Sequence, residues 1–181
     1  MGGGAALQYS ITQIPHSISP MRHSSLIALS HDHHHGLALA LRCRKQALGQ
    51  LKPMGAAGLR ERAKEFLDFF AANLVAHFHA EEEVLFPFMC SLMPDGAIMI
   101  DGLIKDHELI RRMVAQLEAG TGLAKLIFDL GDLLERHIRK EERELFPLYE
   151  KIVQEDKALT IGREMKKILD LNEAGSKKLQ G

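Results

Sequence analysis

HFHAEEEVLFP occupies residues 77–87, and HIRKEERELFP occupies residues 137–147. Six of the eleven positions agree: the leading His, the Glu-Glu pair and Leu-Phe-Pro. Two matches in one register, sixty residues apart, predict two copies of one local device. In a helix, residues i and i+4 share a face, so His77 aligns with Glu81 and His137 with Glu141. Pro87 and Pro147 each remove a backbone hydrogen bond and are expected to kink or end their helices.

Outward from these phrases the chain reads as helix punctuated by Gly, Pro and Asp. The first helix starts at Ser24 or Ser25 and ends by Gly49, Pro53 and Gly55, with an expected inner face of Ile27, His31, His34, Leu37, Leu41 and Leu48. The second runs from about Leu59 to Leu92, on a stripe of Leu67, Phe70, Leu74, His77, Glu81, Leu85 and Phe88. After the turn Pro94-Asp95-Gly96, the third carries Ile100, Leu103, His107, Ile110, Val114 and Leu117. After Gly120-Thr121-Gly122, the fourth carries Leu126, Leu130, Leu134, His137, Glu141, Leu145, Leu148 and Ile152. A shorter helix, about Leu159 to Leu171, follows. Short loops between long amphipathic helices predict an all-α, up-down-up-down four-helix bundle with an additional C-terminal helix. Residues 1–21 are expected to be a loose tail, 22–175 the bundle and 176–181 a polar tail, with Met21 an alternative start.

Each inner stripe is broken by His, or by His and then Glu. Buried imidazole or carboxylate without partners costs several kcal/mol, so four such interruptions are tolerable only if they meet. His34, His77, Glu81, His107, His137 and Glu141 then converge, and imidazole with carboxylate is a ligand set for Fe, Mn or Zn. Two carboxylates shared among four imidazoles predict two metals. Two six-coordinate ions offer about twelve positions, of which roughly four stay open for a bridge and small ligands. Within HDHHH (residues 31–35), His34 is preferred and His33 is the alternative. His31 is an added ligand or an outer donor, and His23, His35 and His79 are expected at the surface. Glu82 and Glu142 either orient a His or face solvent. Phe86 and Phe146 are expected to wall the site from water, and Tyr149 or His31 to supply protons.

Bulk properties bound the function classes. With 181 residues, 46% hydrophobic and 26% charged, the chain suits one globular domain. Its net charge of −1 gives no basic field for nucleic acid or an anionic membrane. No apolar run reaches the roughly 18 residues of a membrane span, and no secretory pattern opens the chain. Cys43 and Cys90 lack metal or redox spacing, which fits a reducing, cytoplasmic setting. Leu37, Leu39 and Leu41 exceed what one face buries, so the fifth helix or a weak homodimer is expected to cover them; otherwise the chain is a monomer.

The pattern H…HxxxE…H…HxxxE resembles the haemerythrin-like family, the HHE cation-binding domain, and is filled here by His34, His77-Glu81, His107 and His137-Glu141. LSHDHHHGL and KDHEL strengthen the likeness, which spans about residues 22–155. The resemblance implies a four-helix bundle holding two non-haem Fe ions, oxo- or hydroxo-bridged, with Mn or Zn as alternatives. The implied role is to bind or react with O2, peroxide or NO in stress response, sensing or iron handling. The alternatives are a metal storage or delivery bundle, or di-iron repair of damaged iron-sulfur clusters. The oxygen-carrying branch has HxxxH on its third helix, where this chain has Leu103 four before His107. That branch also has Asp five after the fourth-helix His, where this chain has Glu141 four after.

Overall fold

Glycine sets where the helices stop. Gly49 follows the first helix at φ 70° and Gly120 ends the third at φ 72°, a left-handed conformation that other residues adopt at a cost. The computed structural model describes residues 22–93 and 96–178, with side chains as far as residue 171. The tail expected over 1–21, the Pro94-Asp95 part of the expected turn and residues 179–181 lie outside the described residues. The described chain is all-helical, without strands. A short 3-10 turn, Ser24–Leu26, leads into α1, Ile27–Ala47. Then come α2 (55–92), α3 (Ala97–Ala119), α4 (123–152) and α5 (Glu155–Lys178). The last helix is longer than expected and continues into the predicted polar tail. No described helix is long and apolar enough to cross a membrane.

Neither Pro87 nor Pro147 ends its helix. Each follows a widened π turn, Glu81–Leu85 in α2 and Glu141–Leu145 in α4. There Phe86 N–H donates to the Glu81 carbonyl and Phe146 N–H to the Glu141 carbonyl, five residues back. The wide turn absorbs the missing proline donor, and helix resumes to Leu92 and Ile152. A third wide turn, Phe70–Leu74, lies in α2 without a proline.

The core falls into two apolar clusters. One holds Leu39, Cys43, Phe66, Leu74, Phe78, Ile110, Val114, Leu130 and Leu134. The other holds Leu26, Leu29, Leu85, Phe86, Met89, Leu103, Phe146 and Tyr149, with Ala158, Ile161 and Met165 of α5 packed on it. Along each of α1 to α4 the sequence passes from one cluster to the other, and at the crossing stands His, or His and Glu. The polar residues thus form one layer across the bundle. Helix α5 starts beside Tyr149 and packs along residues 70–85 of α2 and the Ser24–Leu26 turn, away from Leu37 and Leu41. Leu39 is buried by the first cluster, Leu37 is half-buried against it, and Leu41 stays exposed.

The register of α1 differs from the expected one. Its buried face is Leu26, Leu29, His33, Gly36, Ala40, Cys43 and Gln46, whereas Ile27, Leu41 and Leu48 are exposed. Close approach to α4 explains the small residues. A Cβ on Gly131 would lie 2.7 Å from the Ala40 carbonyl oxygen and 2.9 Å from Cys43 Cβ. Gly131→Ala is therefore expected to destabilise by about 1–3 kcal/mol, as overpacking does. Gly102→Ala meets only the movable Lys140 Nζ, at 2.9 Å, and should be neutral or stabilising by about 0.5–1 kcal/mol. Urea unfolding of the two variants measures this contrast.

Candidate metal centre

The i,i+4 geometry of α2 and α4 sets the inner layer. His77 Nε2 lies 3.2 Å from Glu81 Oε1, and His137 Nε2 lies 3.3 Å from Glu141 Oε2. From α1, His33 Nε2 reaches Glu141 Oε2 at 3.1 Å and His77 Nε2 at 3.1 Å. From α3, His107 Nε2 reaches Glu81 Oε2 at 3.4 Å and His137 Nε2 at 3.0 Å. All six side chains are at most 3% exposed. The result is two overlapping donor groups, His33-His77 and His107-His137, which share Glu81 and Glu141.

Five of the six expected residues meet here. His34 does not: it is exposed on α1, beside Leu37, Leu41, Arg44, Glu135 and Arg139. His33 takes the inner position. The expectation failed because the stripe was drawn through the large apolar residues of α1. Of these, Ile27, Leu41 and Leu48 are exposed, because Gly36, Ala40 and Cys43 occupy the buried face beside His33. The expected proton sources are also displaced. Tyr149 Oη bonds to Ser25 Oγ at 3.1 Å and to the Ala158 carbonyl at 3.5 Å, at the α5 end. His31 is exposed, as are His35 and His79, while His23 is half-buried against Ser25 and Glu155.

Outside the inner layer, each imidazole turns its Nδ1 toward a carboxylate. His33 Nδ1 donates to Glu142 at 2.8 Å, His107 to Glu82 at 2.7 Å and His77 to Asp32 at 3.2 Å. His137 Nδ1 stands 3.7 Å from Asp106. Glu82 is itself held by both terminal nitrogens of Arg111, at 2.8 and 3.0 Å. Glu142 is held by Arg22 and by Ser30 at 2.7 Å. The repeated phrase now has a physical reading. Each copy supplies an inner His, an inner Glu, a second Glu that orients the lone His of another helix, and a Phe that stacks on that same His. Phe86 lies 5.6 Å from His107 and Phe146 5.3 Å from His33, nearly parallel to it. The reverse gift comes from Asp32 and Asp106, each immediately before a lone His. Sequence reasoning missed both, although the dipeptide Asp-His at 32–33 and 106–107 carried the signal.

With Nδ1 donating to a carboxylate, a neutral His33, His77 or His107 points an Nε2 lone pair inward, where His33 faces His77 and His107 faces His137 Nε2. All four oxygens of Glu81 and Glu141 are buried without an aligned hydrogen bond. Such a layer draws positive charge. Burial opposes charge on His77, but Glu81 and Asp32 outweigh it and raise it to about 10. His33 and His107 are raised against burial in the same way, by their two glutamates each. Glu82 is favoured in its neutral form by burial, but His107 and Arg111 hold it at about 2. Glu142 is held at about 2 by His33, Ser30 and Arg22. Orphaned carboxylate oxygens facing imidazole lone pairs fit a pair of cations.

His33→Ala should therefore remove at least half of the bound metal, whereas His34→Ala leaves it intact. Glu142→Gln, which keeps the shape but weakens the orienting bond, should lower affinity about 10- to 100-fold. Metal content by mass spectrometry and competition with a chelator measure both.

No curated protein and no solved structure matched the chain. Residues 25–149 match the family described as Hemerythrin, the Hemerythrin HHE cation binding domain. That span carries every residue of the inner layer and of its carboxylate surround, so the chain belongs to the hemerythrin HHE cation-binding family.

Proposed function

We propose that the chain holds two iron ions between Glu81 and Glu141 and uses them to bind or react with a small oxidant: O2, peroxide or NO. The observation that carries this reading is the inner layer itself: four imidazole Nε2 atoms and four orphaned carboxylate oxygens buried together. His33 and His77 would hold one ion, His107 and His137 the other, and the two glutamates both. Charge supports bound cations: six carboxylates, of Glu81, Glu141, Asp32, Glu82, Asp106 and Glu142, lie in or around the layer, and Arg22 and Arg111 pair with only two of them. The up-down-up-down course of the first four helices belongs to the same proposal, supported by the short connections 48–54 and 120–122.

When bound, iron supplies the ligand-binding and redox chemistry. The chain's own residues fix donor geometry and exclude water. Phe78 stacks on His107 at 3.7 Å, and Phe86 and Phe146 close the opposite side. Apolar clusters lie above and below, so a small uncharged ligand enters at little desolvation cost. Cys43 and Cys90 are free thiols, in keeping with a reducing compartment.

The test is optical. The iron-loaded protein is reduced without oxygen and then exposed separately to O2, peroxide and NO. A spectral change with at least one of them, lost in Glu81→Ala, is expected. A centre that holds iron yet responds to none would leave only a structural or storage role.

A further inference from the structure

With His33 turned inward, three imidazoles of the HDHHH run remain on the outer surface of α1. His31, His34 and His35 are all exposed. His31 and His35 are one turn apart, and their rings meet edge to face with centroids 4.7 Å apart at 68°. The His34 ring lies 5.8 Å from His35. On a helix, i and i+4 side chains can bring two ring nitrogens about 3 Å apart, the separation required of two ligands each about 2 Å from one ion. Imidazole suits borderline-soft ions such as Zn, Cu, Ni and Fe rather than Mg or Ca. Only two protein donors are supplied, so water completes the shell and the ion stays exchangeable.

The position of this pair is informative. His31 lines a cavity of about 460 Å³ between α1, the wide turn Phe70–Leu74 and α5. Asp32 and Asn73 line the same cavity. Asp32 Oδ2 accepts from His77 Nδ1 at 3.2 Å, and its Oδ1 from Asn73 at 3.4 Å. The cavity thus holds the exposed imidazole of His31 beside Asp32, the carboxylate that touches the buried layer through His77. Its walls also include Ala72 and Ala76 from α2, and Lys166, Leu169 and Asp170 from α5. Glu82 and Glu142, by contrast, are each held by an arginine: Glu82 by Arg111, and Glu142 by Arg22 together with Ser30.

We propose that His31 and His35 form a second, solvent-facing site for one divalent first-row transition-metal ion, which then passes along this cavity to the buried centre. The surface site stands on the histidine pair alone. The hand-over rests on reading the buried layer as a metal centre.

The test uses the full chain without an affinity tag, and H31Q/H35Q, whose changes are both exposed. In the first arm, iron-loaded protein is titrated with Zn2+ by calorimetry. One further zinc per wild-type chain is expected, lost or at least tenfold weaker in H31Q/H35Q. In the second arm, metal-depleted protein is mixed with Fe2+ without oxygen. Uptake in H31Q/H35Q should be several-fold slower, with the same final iron content. No further zinc, or zinc that survives the double substitution, overturns the site. An unchanged uptake rate overturns the hand-over. Wild-type protein that takes up no iron also overturns the hand-over, and it marks failure of the buried-centre reading, because the zinc arm still reports on the histidine pair by itself.

Discussion

Two facing lone pairs cannot stay buried together without a positive charge between them. In this chain that situation occurs twice, at His33 with His77 and at His107 with His137, and two carboxylates lie across both pairs. Apolar clusters above and below remove water as a partner. The remaining remedies are protons or metal ions. Protons can serve one lone pair at a time, whereas a cation serves several donors at once. Much of the rest of the structure follows from placing those donors: the wide turns after Glu81 and Glu141, the glycine seam between α1 and α4, and the ring of outer carboxylates.

The layer has an internal symmetry that is written in the chain. Helices α1 and α2 relate to α3 and α4 as one Asp-His and His-x-x-x-Glu-Glu unit to another. Each unit orients histidines both within itself and in the other: Asp32 acts on His77 within its own unit, while Glu82 acts on His107 across to the other. Exchange across the units locks the four helices in register, because sliding any one of them would separate an Nδ1–H from its acceptor. The symmetry is incomplete at the edges. Asp32 lines a cavity, whereas Glu82 and Glu142 are paired with arginines.

How much of this was legible depends on the helix. In α3 all six residues of the expected stripe are buried, because its seam is filled by large aliphatic side chains in strict three-four spacing. In α2 and α4 the His-Glu pairs were equally readable from the repeat. In α1 the hydrophobic pattern pointed the wrong way. Its buried face combines Leu29 and Leu39 with the small residues Gly36, Ala40 and Cys43, and Ile27 and Leu41 are left outside. Choosing between His33 and His34 therefore failed by one position, about 100° of helix rotation. Of the two effects expected of proline, a kink or an end, the end does not occur: a wide turn absorbs the missing bond, and nothing local in sequence announces it. Asp32 and Asp106 were visible as repeated Asp-His pairs, but their role depends on neighbouring helices.

The most direct measurement is anomalous diffraction at the iron edge from crystals of the iron-loaded protein. The account predicts two peaks between Glu81 and Glu141, one beside His33 and His77 and the other beside His107 and His137. A buried layer with no peak, its imidazoles hydrogen-bonded to the glutamates through protons, would contradict it, as would a lone ion bound through His34.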